Sequence, residues 1–149
     1  MKKLSMTALI WFLTISLCCA YTSEYSFSGY GAADESRMIT VSFSVDELSS
    51  EVVVNFRFMN TGNTPVKTDP FASLKMDIVT ADGKTHAVNC YSDEGVSEDH
   101  SVQVIKPGDA MEKVLFNNDP TIQTVIASKR VDHVVFYSTM GEFVLRQRQ

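Results

Sequence analysis

The sequence predicts an all-β protein, an antiparallel sandwich of about eight strands. Two observations carry that prediction. From Met38 onward, apolar and polar residues alternate with a period of two, the mark of strands with one buried face. Turn signals rich in Gly, Pro, Asn and Asp recur between these runs, at the spacing of a meandering antiparallel sheet. Strands apolar on one face need a second sheet layer to cover that face.

Each element follows in order. Ile39, Val41, Phe43 and Val45 alternate with Thr40, Ser42 and Ser44. Val52, Val54, Phe56 and Phe58 alternate with Val53, Asn55, Arg57 and Met59, after a polar turn at Asp46–Ser50. Asn60-Thr61-Gly62-Asn63-Thr64-Pro65 is a loop, since Gly allows positive φ and Pro removes a ladder donor. Leu74–Thr80 and Lys84–Tyr91 flank Ala81-Asp82-Gly83 and form a hairpin. Ser101–Ile105 is a short strand, Lys106-Pro107-Gly108-Asp109 a turn and Ala110–Asn117 a longer strand. Val131–Ser138 and Glu142–Arg146 close the chain as a second hairpin. Asp119–Lys129 reads equally as a loop with a short helix or as an irregular strand, and no convincing amphipathic helix stands out.

The hairpin around Asp82-Gly83 allows two registers. A two-residue turn pairs Met76 with Asn89 and turns Cys90 outward. A three-residue loop with Gly83 left-handed pairs Leu74 with Cys90, Met76 with Val88 and Ile78 with His86. The second register separates apolar from polar faces better, and register follows that separation. It makes Cys90 a small buried hydrophobe.

The N-terminus reads as an address. Lys2 and Lys3 precede an uncharged stretch, Leu4–Cys19, that contains Leu9-Ile10-Trp11-Phe12-Leu13. The apolar run is short for a membrane span and fits a secretory signal peptide cleaved after Ala20. Lipidation at Cys18 or Cys19 is the alternative, although bulky Leu17 precedes the first of them. The expected organisation is a signal peptide at 1–20, a flexible lead-in at 21–36 with at most one short edge strand near Tyr25–Phe27, and the sandwich at 37–149. Cleavage would leave 11 basic against 18 acidic residues, a net charge of −7, with Cys90 as the one remaining cysteine. A periplasmic or secreted protein is therefore expected, or a lipid-anchored envelope protein, with no membrane span in the mature chain. A pI near 5.1 argues against a nucleic-acid partner.

The segments VVVNFRFMNTGNTPV, MDIVTADGK and IKPGDAMEKVLF, in that order, resemble the immunoglobulin-like sandwich domains of secreted bacterial proteins. Asn60, Thr61, Gly62, Pro65, Asp82, Gly83, Pro107, Gly108 and Asp109 carry the likeness, over residues 38–138. The resemblance implies an antiparallel immunoglobulin-like β-sandwich and is nearly silent on function. The same order is similar to a bacterial family of small sandwich proteinase inhibitors, whose inhibitory segments are exposed loops; Ser92–His100 would be the equivalent here.

Catalytic and metal sites find little support. His86, Cys90 and His100 are the one plausible soft-metal set. On a strand, His86 and Cys90 would lie about 13 Å apart, too far to share one ion, and the same gap defeats a nucleophile–base dyad. There is no G-x-S-x-G or H-E-x-x-H motif. The loop Ser92–His100 carries four carboxylates, at spacings unlike a twelve-residue calcium loop. The expectation is a non-catalytic binding or scaffold module without cofactor or metal, meeting another envelope or secreted protein through loops or a sheet edge. Asp93, Glu94, Glu98, Asp99 and His100 are its candidate binding residues. A proteinase inhibitor and a periplasmic metal-binding protein are the alternatives.

Overall fold

A computed structural model describes residues 25–46, 48–72, 74–92 and 102–147. The signal peptide expected at 1–20 lies outside the described residues. The strands are β1 (Tyr25–Tyr30), β2 (Arg37–Asp46), β3 (Glu51–Asn60), β4 (Val66–Thr68), β5 (Lys75–Thr80), β6 (Thr85–Val88), β7 (Gln103–Ile105), β8 (Ala110–Asn117), β9 (Val131–Ser138) and β10 (Gly141–Gln147). Among the described residues one helix, α1 (Pro120–Ala127), joins β8 to β9. The fold is all-β, antiparallel and β-sandwich-like.

The covering of apolar faces is achieved differently from two separate sheets. Eight strands form one sheet in the order β6-β5-β9-β10-β1-β2-β3-β8, and β4 pairs with β7 in a small second sheet. The large sheet curls over itself. Phe136 on β9 and Phe56 on β3 stand four places apart in the strand order, yet their ring centroids are 5.8 Å apart. Just beyond β6 the chain reaches β8: the Tyr91 N–H donates to the Phe116 carbonyl at 2.9 Å, and the Phe116 N–H donates back at 2.8 Å. The two ends of the strand order thus meet. The enclosed space is filled by Phe27, Ile39, Val41, Phe43, Val54, Phe56, Phe58, Ile78, Phe136 and Phe143, all at most 1% exposed.

The alternation read from the sequence matches the faces seen. Ile39, Val41 and Phe43 on β2 and Val52, Val54, Phe56 and Phe58 on β3 point inward. The hairpin takes the three-residue register, with Met76 opposite Val88 and Ile78 opposite His86. Gly83 is left-handed at φ +81°, as that loop requires. The turn is held by the Asp82 carboxylate, which accepts from the Thr80 hydroxyl at 2.5 Å and lies 3.1 Å from Lys84 Nζ. The Thr80 hydrogen bond, with Lys84 beside it, holds the Asp82 carboxyl down at about 2.

One segment corrects the expectation, and a second resolves the choice between a short helix and an irregular strand. The lead-in contains an interior strand, not a flexible edge: β1 pairs with β2 on one side and β10 on the other. Tyr25 and Phe27 enter the core, and the buried Tyr25 hydroxyl donates to the Val131 carbonyl at 3.1 Å and accepts from the Val131 N–H at 3.2 Å. Burial raises that phenol above its ordinary pKa, against the hydrogen bond to Val131. Gly29 marks the close approach of β1 to β10, since a Cβ there would overlap the Val144 carbonyl oxygen. Second, Asp119–Lys129 contains a helix. The Asp119 side chain caps it by accepting from the Thr121 N–H at 2.8 Å, Pro120 occupies its first turn, and Ile122 and Ile126, four residues apart, are buried. Its Thr, Ile and Val content gives weak intrinsic helicity, so packing against β2 and β3 supplies what propensity does not.

The Asn-Thr-Gly and Pro-Gly-Asp signals meet in space. Asn60 is fully buried, and its Nδ2 donates to the carbonyls of Thr64 (2.8 Å) and Ile105 (2.9 Å) while its Oδ1 accepts from the Gly62 N–H (3.0 Å). The Asn60 main chain bonds to Gly108 and Asp109. These residues are therefore structural fasteners between two turns.

Cys90 lies past the end of β6, partly buried and packed against the core beside Leu74. Burial pushes its thiol up to about 12. The thiolate is the reactive form, so at pH 8 the native protein should label at Cys90 at least about a hundredfold more slowly than in denaturant. Timed alkylation followed by mass measurement of the Cys90 peptide checks this; equal rates would mean an exposed thiol.

Candidate functional site

The acidic-loop residues Asp93, Glu94, Glu98, Asp99 and His100 lie outside the described residues, so that site is neither assembled nor dispersed by the structure. Of the possible metal set, His86 sits on β6 opposite Ile78, and Cys90 follows the strand's end. Among the described residues, no group of three or more His, Cys, Asp or Glu side chains is placed to hold a metal ion.

The outer face of the curled sheet offers a more informative surface. Outward positions on neighbouring strands fall into rows, because antiparallel register sets partners directly opposite one another. One row is apolar. Val135 on β9 pairs with Val144 on β10. The register of Ser28 with Arg146 places Tyr30 beside Val144. Tyr30 pairs with Met38, Met38 with Met59, and Met59 with Ala110. The row thus crosses six strands. Tyr30 is 53% exposed and Val144 40%, while Val135, Met38 and Met59 are half-buried. Tyr137 flanks the row, opposite Glu142 and Lys75. Desolvation, then the charges of Asp77 and Glu142, raise its phenol above the usual value.

The next row is polar. His133 pairs with Arg146, Arg146 with Ser28, Ser28 with Thr40, Thr40 with Arg57 and Arg57 with Glu112. Asp132 holds its cationic end, with Oδ2 2.7 Å from His133 Nδ1 and 3.6 Å from Arg146 Nη1. The hydrogen bond from His133, and then the nearby charges of His133 and Arg146, outweigh desolvation and lower the Asp132 pKa. At the other end, Arg57 Nε lies 3.6 Å from Glu112 Oε1. These are loose surface contacts that position side chains and contribute little stability. A third row, Ser26, Ser42, Asn55 and Val114, runs alongside. Between the second and third rows lies a cleft of about 370 Å³.

The sequence marks Val53, Asn55, Arg57 and Met59 as outward, but not their alignment with Tyr30 and Val144. That alignment depends on register through six strands. The available local signal was apolar residues at outward positions, as in Asp132-His133-Val134-Val135-Phe136-Tyr137, where alternation breaks down.

Comparison of the chain with protein families, with characterised proteins and with solved structures finds no match. Among the described residues, no helix is long and apolar enough to cross a membrane.

Proposed function

We propose that this protein is an exported, non-catalytic binding module of immunoglobulin-like kind, and that it contacts another envelope or secreted protein through the outer face of its curled sheet. The apolar row from Val135 to Ala110 is the observation that supports this reading. Solvent-facing positions of an antiparallel sheet are ordinarily polar, and a contiguous exposed apolar patch bordered by polar residues is the usual mark of an interface. Tyr30 and Tyr137 suit such a surface, since an aromatic ring with a hydroxyl buries much area at small entropic cost. The basic, apolar N-terminal segment supports export.

A photo-crosslinking residue at Tyr30, compared with one at exposed Thr85 on β6, tests the surface in the envelope fraction of the source cells. The Tyr30 probe should trap a distinct partner, and the Thr85 probe should not. With that partner purified, Tyr30→Ser combined with Val144→Ser should weaken binding at least about tenfold, each buried aromatic or apolar contact being worth roughly 1–2 kcal/mol. Unchanged affinity in the folded double variant would remove the apolar row from consideration.

A further inference from the structure

The cleft beside the apolar row has its own chemistry. Its floor is made of short outward side chains, Ser26 and Ser42 opposite one another and Thr40 in the next row, with Asn55 opposite Ser42 and Arg57 opposite Thr40. Directly opposed residues on neighbouring strands lie about 5 Å apart, so these groups converge on one patch. The small hydroxyl side chains are what hollow the surface, while Arg57, Glu112 and Val114 rise around it. Lys113 also borders the cleft, but it pairs with inward-facing Phe56 and so belongs to the other face of the sheet. The volume of about 370 Å³ falls within the range of small-molecule sites.

The donor and acceptor inventory narrows the ligand. Arg57 only donates, the Glu112 carboxylate only accepts, and the hydroxyls and the Asn55 amide do both. An anion drawn to Arg57 would be repelled by Glu112, which lies 3.6 Å from its Nε. A cation would meet the converse conflict. A neutral molecule whose groups each donate and accept suits Arg57, Glu112, Asn55 and the hydroxyls of Ser26 and Thr40 together, with buried Ser42 beneath them as floor. Val114, 49% exposed beside Asn55, adds an apolar wall for C–H surface. We infer that this cleft binds a small, neutral, polyhydroxylated molecule of monosaccharide or disaccharide size. The inference rests on the cleft alone and holds whether or not the apolar row receives a protein.

Amide chemical shifts of the isotope-labelled full chain, titrated with a panel of neutral sugars, test it. Glucose, galactose, N-acetylglucosamine and their β-linked disaccharides are the probes, with glucuronate, glucosamine and inorganic phosphate as charged comparisons. At least one neutral sugar should give saturable shifts at Thr40, Asn55 and Arg57. Thr40→Val and Arg57→Met should each raise the midpoint about tenfold, the value of one lost hydrogen bond, with spectra that remain dispersed as in a folded protein. Tyr30→Ser with Val144→Ser should leave the midpoint unchanged, which separates this site from the protein-binding surface. The absence of saturable shifts with any neutral sugar would overturn the inference. Saturation by the charged probes alone, or unaltered midpoints in the folded variants, would do the same.

Discussion

Phe136→Ala is expected to lower the free energy of unfolding by about 3–5 kcal/mol. Phe136 is fully buried, opposite Met76 on β5 and Phe143 on β10. Its ring lies 5.8 Å from Phe56 and 5.9 Å from Phe143, centroid to centroid. The contact with Phe56 spans the interior between distant strands of one sheet, so it stabilises the curl itself. Removing the ring forfeits its transfer free energy and leaves a void that a closed sheet cannot readily collapse into. Ordinary domains are stable by about 5–15 kcal/mol, so this single change removes a large share. With a urea m-value of roughly 2 kcal/mol/M, the midpoint should fall by about 2 M at unchanged slope. Phe136→Leu, which preserves more volume, should cost less than half as much. A midpoint shift under about 0.5 M for the alanine variant would contradict a core built across the curl.

The residues explain which parts of the fold were legible. Period-two alternation located β2 and β3, because those strands have one wet face and one dry one, while turn signals bracketed β8 and β9. The register of the β5–β6 hairpin was legible for the same reason: one alignment buries Met76 with Val88, and the other strands Met76 opposite Asn89. β1 was under-read because Tyr25 and Phe27 are its two core side chains and Gly29 weakens the strand pattern. Its interior place is set by neighbours far away in sequence. α1 was ambiguous because its Asp119-Pro120 start signal competes with a β-branched composition. Whether one sheet or two encloses the core is a matter of tertiary closure through pairs such as Phe56–Phe136 and Tyr91–Phe116, to which local periodicity is blind. The outer face was half legible. Outward residues could be named strand by strand, but a row is a property of six registers taken together.

Asn60→Ala is expected to cost about 3 kcal/mol, more than its small loss of volume would suggest. The side chain makes three hydrogen bonds in a fully buried position, and truncation leaves the carbonyls of Thr64 and Ile105 and the N–H of Gly62 without it. Unmet buried polar groups cost about 1–3 kcal/mol each, with partial recovery where water enters the loop. Asn60→Asp distinguishes hydrogen bonding from packing, because it conserves shape and reverses one function. The carboxylate would point an acceptor at two carbonyl oxygens, where the amide donates to both. Repulsion and burial favour the protonated acid in the folded state and raise the folded pKa above its unfolded value. The relative stabilisation is then fully present below the unfolded pKa and is lost as pH rises through the folded pKa. Asn60→Asp should therefore be at least as unstable as Asn60→Ala near pH 7, and should approach the parent protein as pH falls toward about 4. Urea midpoints of the three proteins at both pH values measure this. A pH-independent gap between Asn60→Asp and the parent would show that Asn60 is held by shape, and that the Asn-Thr-Gly and Pro-Gly-Asp turns are joined by something other than its amide.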